Sequence, residues 1–229
     1  MDYRNELKFE LSDYDLTRIK MRLTPLMYPD IHQGPEGYLV KSLYFDDLYD
    51  SCASEKENGI LRREKYRIRQ YGNSLNFIRL EKKIKRGNMS QKTSRLITLR
   101  DYNTLLSDDA DAMYDLLFQN KNNLLGELAY KIRYKKFSPK CIVQYERFGL
   151  VENNGNVRIT FDRNITGSRQ ITGFFDSDYF MIPLMPQGHH ILEIKYDELL
   201  PQYILQTLDL GNLREQSYSK YYQTRAAIG

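Results

Sequence analysis

Tryptophan is absent from the 229 residues, histidine occurs three times and cysteine twice. Cys52 and Cys141 lie far apart and form no CxxC pair. That excludes a disulfide-stapled scaffold and a cysteine zinc site, and it fits a reducing, cytoplasmic setting. No apolar run approaches the ~20 residues of a membrane span. The opening MDYRNELKFEL is too charged for a signal peptide. A GxxxxGK[ST] loop is missing, which excludes the P-loop way of cradling phosphates, and so is HExxH. His32, His189 and His190 do not sit at strand-face spacing, and His189-His190 reads as loop ahead of a strand. Repeats, low-complexity tracts and linkers are also absent, so residues 1–229 are expected to form one domain. Lysine and arginine number 34 against 30 acids, a net of +4. That balance excludes a protein that coats nucleic acid, and any strong positive field must be local.

What is present is alternation. In residues 61–85, LRREKYRIRQYGNSLNFIRLEKKIK, a period of two puts Lys65, Arg67, Arg69 and Tyr71 on one face and Tyr66, Ile68 and Gln70 on the other. Gly72-Asn73-Ser74 is a turn cluster whose glycine can take φ > 0. The return run puts Phe77, Arg79, Glu81 and Lys83 on one face and Ile78, Leu80 and Lys82 on the other. This predicts a hairpin with one ionic surface. Like charges on paired strands repel, by roughly 0.2–1 kcal/mol per pair. A bound polyanion would compensate.

The pattern recurs. Residues 3–11 set Arg4, Glu6, Lys8 and Glu10 against Leu7, Phe9 and Leu11. Residues 38–46 put Ser42, Tyr44 and Asp46 on one side. Residues 91–98 carry Lys92 and Arg95. Residues 141–150 set Val143, Tyr145 and Arg147 against Ile142, Gln144 and Glu146. Residues 157–162 align Arg158, Thr160 and Asp162, and residues 191–197 align Glu193, Lys195 and Asp197. Helices are predicted after an N-cap at Ser12, over 46–56, over 101–120, over 123–134, and over 201–210 and 217–227. The apolar stripes of these helices need a surface to pack on. If they cover the outside of a sheet, the ionic faces point inward. An α+β fold follows: a closed antiparallel β-barrel with a charged lumen and helices outside.

The runs ELK at Glu6–Lys8, YRIR at Tyr66–Arg69, LEKK at Leu80–Lys83, YER at Tyr145–Arg147, VRITFD at Val157–Asp162, LEIK at Leu192–Lys195 and SKY at Ser219–Tyr221 together resemble the VTC domain. This is the catalytic domain of the vacuolar transporter chaperone polyphosphate polymerase, a triphosphate tunnel metalloenzyme of the CYTH-like superfamily. The resemblance covers nearly the whole chain. It lacks SPX and transmembrane segments and so looks like a stand-alone, bacterial-type version. It implies metal-dependent transfer of the ATP γ-phosphate onto a growing polyphosphate chain. By similarity, Lys8, Arg67, Arg69, Lys83, Lys92, Arg147 and Arg158 would grip phosphates, with Arg95 close enough to replace Lys92. Tyr145 would donate a hydrogen bond to a phosphate oxygen, Lys220 would reach the tunnel from one end, and Glu193 would hold Mn²⁺ or Mg²⁺. ATP, triphosphate and inorganic polyphosphate are the implied substrates. The implied location is the cytoplasm, with membrane association only through a partner protein.

The residue types suit that chemistry. Phosphoryl transfer needs alignment and charge neutralisation more than a protein nucleophile. Arginine offers phosphate a planar fork and lysine a point charge. Mg²⁺ and Mn²⁺ take few protein carboxylates and complete their shells with phosphate oxygens and water. Blander roles stand beside these. Glu10 and Asp162 read as salt-bridge partners, while Glu6 and Glu81 are divided between that role and metal ligation. Lys195 also reads as a partner of Glu193, Lys220 as a solvated helix lysine, and Tyr221 and Tyr222 as packing. Residues 131–136, KIRYKK, read as an exposed helix end. A triphosphatase or polyphosphatase of the same fold, and a non-catalytic polyphosphate- or nucleotide-binding module, remain the alternatives.

Overall fold

A computed structural model describes residues 3–31, 33–55, 58–72, 74–176 and 179–228. In chain order the elements are β1 (Arg4–Ser12), α1 (Asp13–Leu23), β2 (Tyr28–Pro29), β3 (Tyr38–Asp46), α2 (Ser51–Ser54), β4 (Arg62–Tyr71), β5 (Ile78–Arg86) and β6 (Met89–Ile97). Then follow α3 (Leu99–Leu106), α4 (Ala110–Gln119), α5 (Leu124–Lys135), β7 (Ser138–Glu152), β8 (Val157–Ser168), β9 (Ile182–Pro183), β10 (His189–Tyr196), α6 (Gln202–Leu208) and α7 (Lys220–Ile228).

Eight strands close into an antiparallel barrel in the order β7-β3-β4-β5-β6-β1-β10-β8, and β8 returns to β7. The two-residue strands β2 and β9 extend the sheet beside β7 and β8. Closure leaves one weak seam. β6 meets β1 only through Arg4–Ser90 and Asn5–Met89. Farther along β1 the wall is continued by the segment before α7, where Phe9 bridges Glu215 and the Gln216 amide donates to the Lys8 carbonyl at 2.8 Å.

The apolar faces look outward and the helices cover them, as the alternation predicts. Leu16, Ile19 and Leu23 of α1 and Ile204 and Leu208 of α6 join Leu11, Ile159, Phe161, Leu192 and Ile194 in one core cluster. Leu105, Met113, Leu116, Leu125 and Leu128 of α3, α4 and α5 join Tyr66, Ile68, Ile78 and Leu80 in the other. At roughly 25 cal/mol per Å² of apolar surface buried, these two layers are the main drive for folding. α1 begins where expected, with the Ser12 hydroxyl accepting from the Asp15 amide at 3.1 Å.

Four expectations need correction. The helix over 101–120 is two helices, because Asp109 caps α4 by accepting from the amides of Asp111 and Ala112, and this ends α3 before it. The helix over 46–56 shrinks to α2. The buried Asp46 carboxylate accepts from the Cys52 and Ala53 amides and fixes where the turn starts. Lys56 lies outside the described residues, as does His32. His189 and His190 are not loop but the first residues of β10, paired across to Ser12 and Leu11. Finally, β7 and β8 are longer than their apolar cores suggest.

α7 closes one end of the barrel. Tyr221 stacks on Tyr44 with ring centroids 4.9 Å apart, and its hydroxyl donates to Asp46 at 2.7 Å. Arg225 reaches Asp50 at 2.7 Å. A Cβ at Gly167 would stand 2.6 Å from the Thr224 methyl, so the bare backbone of β8 is what lets the helix come this close. Among the described residues no helix is long and apolar enough to cross a membrane.

Candidate functional site

The barrel encloses a cavity of about 410 Å³. All ten residues expected at the site line it: Lys8, Arg67, Arg69, Lys83, Lys92, Tyr145, Arg147, Arg158, Glu193 and Lys220. Nine of them are there because the strand period of two turns alternate side chains inward, and Lys220 reaches the cavity from the start of α7. The same logic settles Lys92 against Arg95. Lys92 lies opposite Lys83 and faces the cavity, whereas Arg95 lies opposite Leu80 on the outer face. Arg4, Tyr44, Tyr71, Ser90, Thr160 and Lys195 also line the cavity and had been given no phosphate or metal role. Their strand-face positions were the available signal.

Three buried carboxylate nodes organise the cations. Glu81, on β5, accepts from Arg67 at 2.6 Å, with Lys92 at 3.1 Å and Arg69 at 3.5 Å. Asp162, on β8, receives a two-pronged bond from Arg147 at 2.6 and 2.8 Å, and Lys220 from α7 at 2.6 Å. Glu6 on β1 and Glu193 on β10 form the third node. Glu6 takes Lys83 at 2.5 Å and Lys8 at 3.2 Å, while Glu193 takes Lys195 at 2.6 Å and Lys8 at 3.4 Å. Lys220 is therefore a buried lumen residue, not a solvated helix lysine. Lys195 does pair with Glu193. Arg158 sits nearer one mouth, bound to Asp30 and to the Tyr38 hydroxyl.

These pairings decide the charge states. Burial alone would raise Asp162, but Arg147 and Lys220 hold it at about 2. Burial likewise opposes ionisation of Glu81 and Glu193. The cations around them win, and both carboxyls stay well below the usual range. Lys83 goes the other way. Burial, aided by Lys8 and Lys195 and opposed by Glu6, pushes it down to about 7. Among the described residues, ten bases line the cavity against one carboxylate in the lining, Glu193. Even with Glu6, Glu81 and Asp162 behind the surface, positive charge is in excess. Such an excess in a low-dielectric space calls for an anion of several charges.

The donors near Glu193 suit a hard divalent cation. Thr160 lies directly across from Glu193 on β8. Its buried hydroxyl oxygen has no hydrogen-bond partner among the described residues. Glu6 is diagonal to Glu193 on the same face, since Lys8 pairs with Glu193 and Glu6 with Lys195. No three His, Cys, Asp or Glu side chains gather as a metal cluster among the described residues. An all-protein cage is not what Mg²⁺ or Mn²⁺ requires beside phosphates. Glu193, with Thr160 and Glu6 near it, fits an ion that completes its shell with phosphate oxygens and water.

The family model of the VTC domain matches residues 3–228. Solved structures share the fold at low identity. The PH1819 protein of Pyrococcus horikoshii OT3 aligns over 98% of this chain and 99% of its own, at 15% identity and a TM-score of 0.50. Proteins from Vibrio parahaemolyticus and Bacillus halodurans, both provisionally described as adenylate cyclases, also reach 0.50. The first is 10% identical over 97% of each chain, the second 12% over 95% of this chain and 94% of its own. The comparison with curated proteins found no match.

Proposed function

The chain belongs to the VTC domain family, and from that membership we propose that it is a metal-dependent polyphosphate polymerase acting on ATP inside its basic lumen. The observation that carries this reading is a cavity lined, among the described residues, by ten bases and one carboxylate, with a hydroxyl beside that carboxylate that has no hydrogen-bond partner among them. A linear phosphate chain matches it in charge. Arg67, Arg69 and Arg147 offer forks to phosphate oxygens, and Lys8, Lys83, Lys92 and Lys220 offer point charges. Tyr145, whose hydroxyl accepts from Arg69, would donate it to a phosphate oxygen, and Arg158 would stand at the mouth. Glu193 would hold Mn²⁺ or Mg²⁺, which when bound neutralises charge on the transferring phosphoryl group. The protein's own part is to hold donor and acceptor phosphates in line, since phosphoryl transfer rests on positioning and electrostatics.

Two free, buried cysteines fit work in a reducing compartment such as the cytoplasm. A membrane protein that moves the product is a possible partner in this reading, and nucleic acid is not. The deciding experiment is incubation with ATP and Mn²⁺ followed by sizing of the phosphate products. Long chains uphold the polymerase. Orthophosphate alone would make it a hydrolase of the same fold, and unchanged ATP a binding module.

A further inference from the structure

A second group of cations faces inward on the α7 side of the barrel. It lines a separate pocket of about 70 Å³ that shares Lys8 and Lys83 with the main cavity and adds Arg63, Lys65, Lys85 and Ser219. Strand register makes the grouping unusual. On adjacent β4 and β5, Arg63 lies directly opposite Lys85, and Lys65 directly opposite Lys83. Like charges in facing positions destabilise a sheet. In the main cavity this conflict is relieved by Glu81, but among the described residues no carboxylate lines the smaller pocket. Glu6 is already held by Lys83 and Lys8. The amine of Lys65 donates to the Ser219 hydroxyl at 2.7 Å and lies 5.4 Å from the Tyr221 ring centre, both neutral neighbours. Among the described residues, Arg63 and Lys85 form no salt bridge. Burial, with Lys8 next to it, pushes Lys65 down to about 8, as expected of cations gathered without a counter-ion.

We infer that this pocket is a second phosphate subsite, one group wide, lying beyond the Lys8–Lys83 pair. Its volume is far below that of a nucleotide pocket and suits one tetrahedral anion. That anion is either a phosphate of a chain threaded past Lys8 and Lys83 from the main cavity or a free orthophosphate. The threaded form rests on the function proposed above, and the orthophosphate form does not.

The test uses Arg63→Gln and Lys65→Met, singly and together, in the full chain. Removing one of two facing cations should raise the melting temperature without ligand, so misfolding is not expected. Binding of orthophosphate, triphosphate and long linear polyphosphate is then measured by calorimetry. Triphosphate sits in the main cavity and should bind the variants as it binds the wild type. A loss on the order of tenfold for long polyphosphate, one charge-assisted contact, supports a threaded chain. The same loss for orthophosphate supports a free-ion subsite. If neither ligand is weakened in the double variant, or if all three are weakened equally, the subsite is refuted. Failure of wild-type protein to bind triphosphate would sink the main-cavity reading instead, leaving the orthophosphate arm to decide the smaller pocket.

Discussion

Two neighbouring rungs of the β4–β5 hairpin carry charge in opposite ways. Arg67 faces Glu81, and that carboxylate also draws in Arg69 and Lys92. One rung on, Lys65 faces Lys83, and then Arg63 faces Lys85. Arg69 also faces a like charge, Arg79, but it turns to Glu81 and to the Tyr145 hydroxyl while Arg79 turns to Ser94. One half of the hairpin is therefore stable as built, with its cations fixed and aimed. In the other half Glu6 holds Lys83, while Lys65, Arg63 and Lys85 have no salt bridge among the described residues, a surplus that a ligand would relieve. The contrast shows what the buried acids do. They do not cancel the positive lumen but decide which cations are rigid before phosphate arrives.

The sharpest way to break the contrast is to remove the organising acid. Glu81→Gln leaves Arg67 and Arg69 buried without their counter-charge. Breaking a buried pair from one side costs about 3–5 kcal/mol. Urea denaturation should show that loss, and triphosphate should restore part of it by filling the place of the carboxylate. A variant as stable as the wild type would mean that Glu81 is not what holds the paired half together.

Glu193→Gln comes next. Glu193 is the acid that lines the cavity itself, where it would repel phosphate unless a metal stood between them. The amide keeps the shape, so the variant should fold and still bind triphosphate. Turnover in Mn²⁺ should fall about 10²–10³-fold, the usual effect of losing one group that stabilises transition-state charge. Wild-type turnover would move the metal to Glu6.

The barrel and its inner face were legible because strand period and charge agreed over seven segments. Alternation set Lys8 and Glu193 on ionic strand faces, while the role of Arg147 rested on the resemblance to the VTC domain. Other features depend on pairing, which alternation does not encode. Nothing local marks Lys65 as facing Lys83, because register is set by where Gly72 turns the chain. Asp46 reads as a strand residue, yet its carboxylate caps α2 and takes the Tyr221 hydroxyl, contacts far apart in sequence. Thr160 looks like an ordinary strand threonine, and only burial beside Glu193 sets it apart. Ser107-Asp108-Asp109, short polar side chains that compete for backbone amides, was a signal for the break between α3 and α4 that the reading of one helix over 101–120 passed over.

A pH series sharpens the comparison further. The unfolded chain holds the Lys83 proton up to about 10.4, whereas burial in the folded protein releases it at about 7. Between these values the unfolded state binds more protons, so ligand-free stability should rise with pH across that window. Triphosphate favours the charged lysine, so binding at pH 8 should take up protons and its affinity should fall as pH rises. The limit is about tenfold per pH unit for each proton taken up. Calorimetry in two buffers of different ionisation enthalpy reads the uptake directly. Lys83→Met removes this part and leaves any due to the ligand's own titration. Heats that do not depend on the buffer would show that Lys83 is already charged.

The smallest effect has the most informative sign. Lys85→Gln and Lys92→Gln each delete one lysine charge from the same sheet. Lys85 faces Arg63 and forms no salt bridge among the described residues. Burial, with Lys8 and Arg63, outweighs the attraction of Glu6 and pushes its ammonium down. Its removal should therefore stabilise the ligand-free protein by about 0.2–1 kcal/mol. Lys92 gives up a bond to Glu81. Its side chain is 48% exposed and Glu81 keeps Arg67, so removal should destabilise by no more than about 1 kcal/mol. Urea midpoints in a low-salt buffer free of phosphate and sulfate should therefore move in opposite directions. High salt should shrink both shifts, because these charges are only partly shielded from solvent. Saturating long polyphosphate should reverse the Lys85 result, since the bound chain turns a surplus cation into a contact. If both substitutions shift the midpoint the same way, Lys85 has a counter-charge after all, and the two halves of the hairpin do not differ as argued.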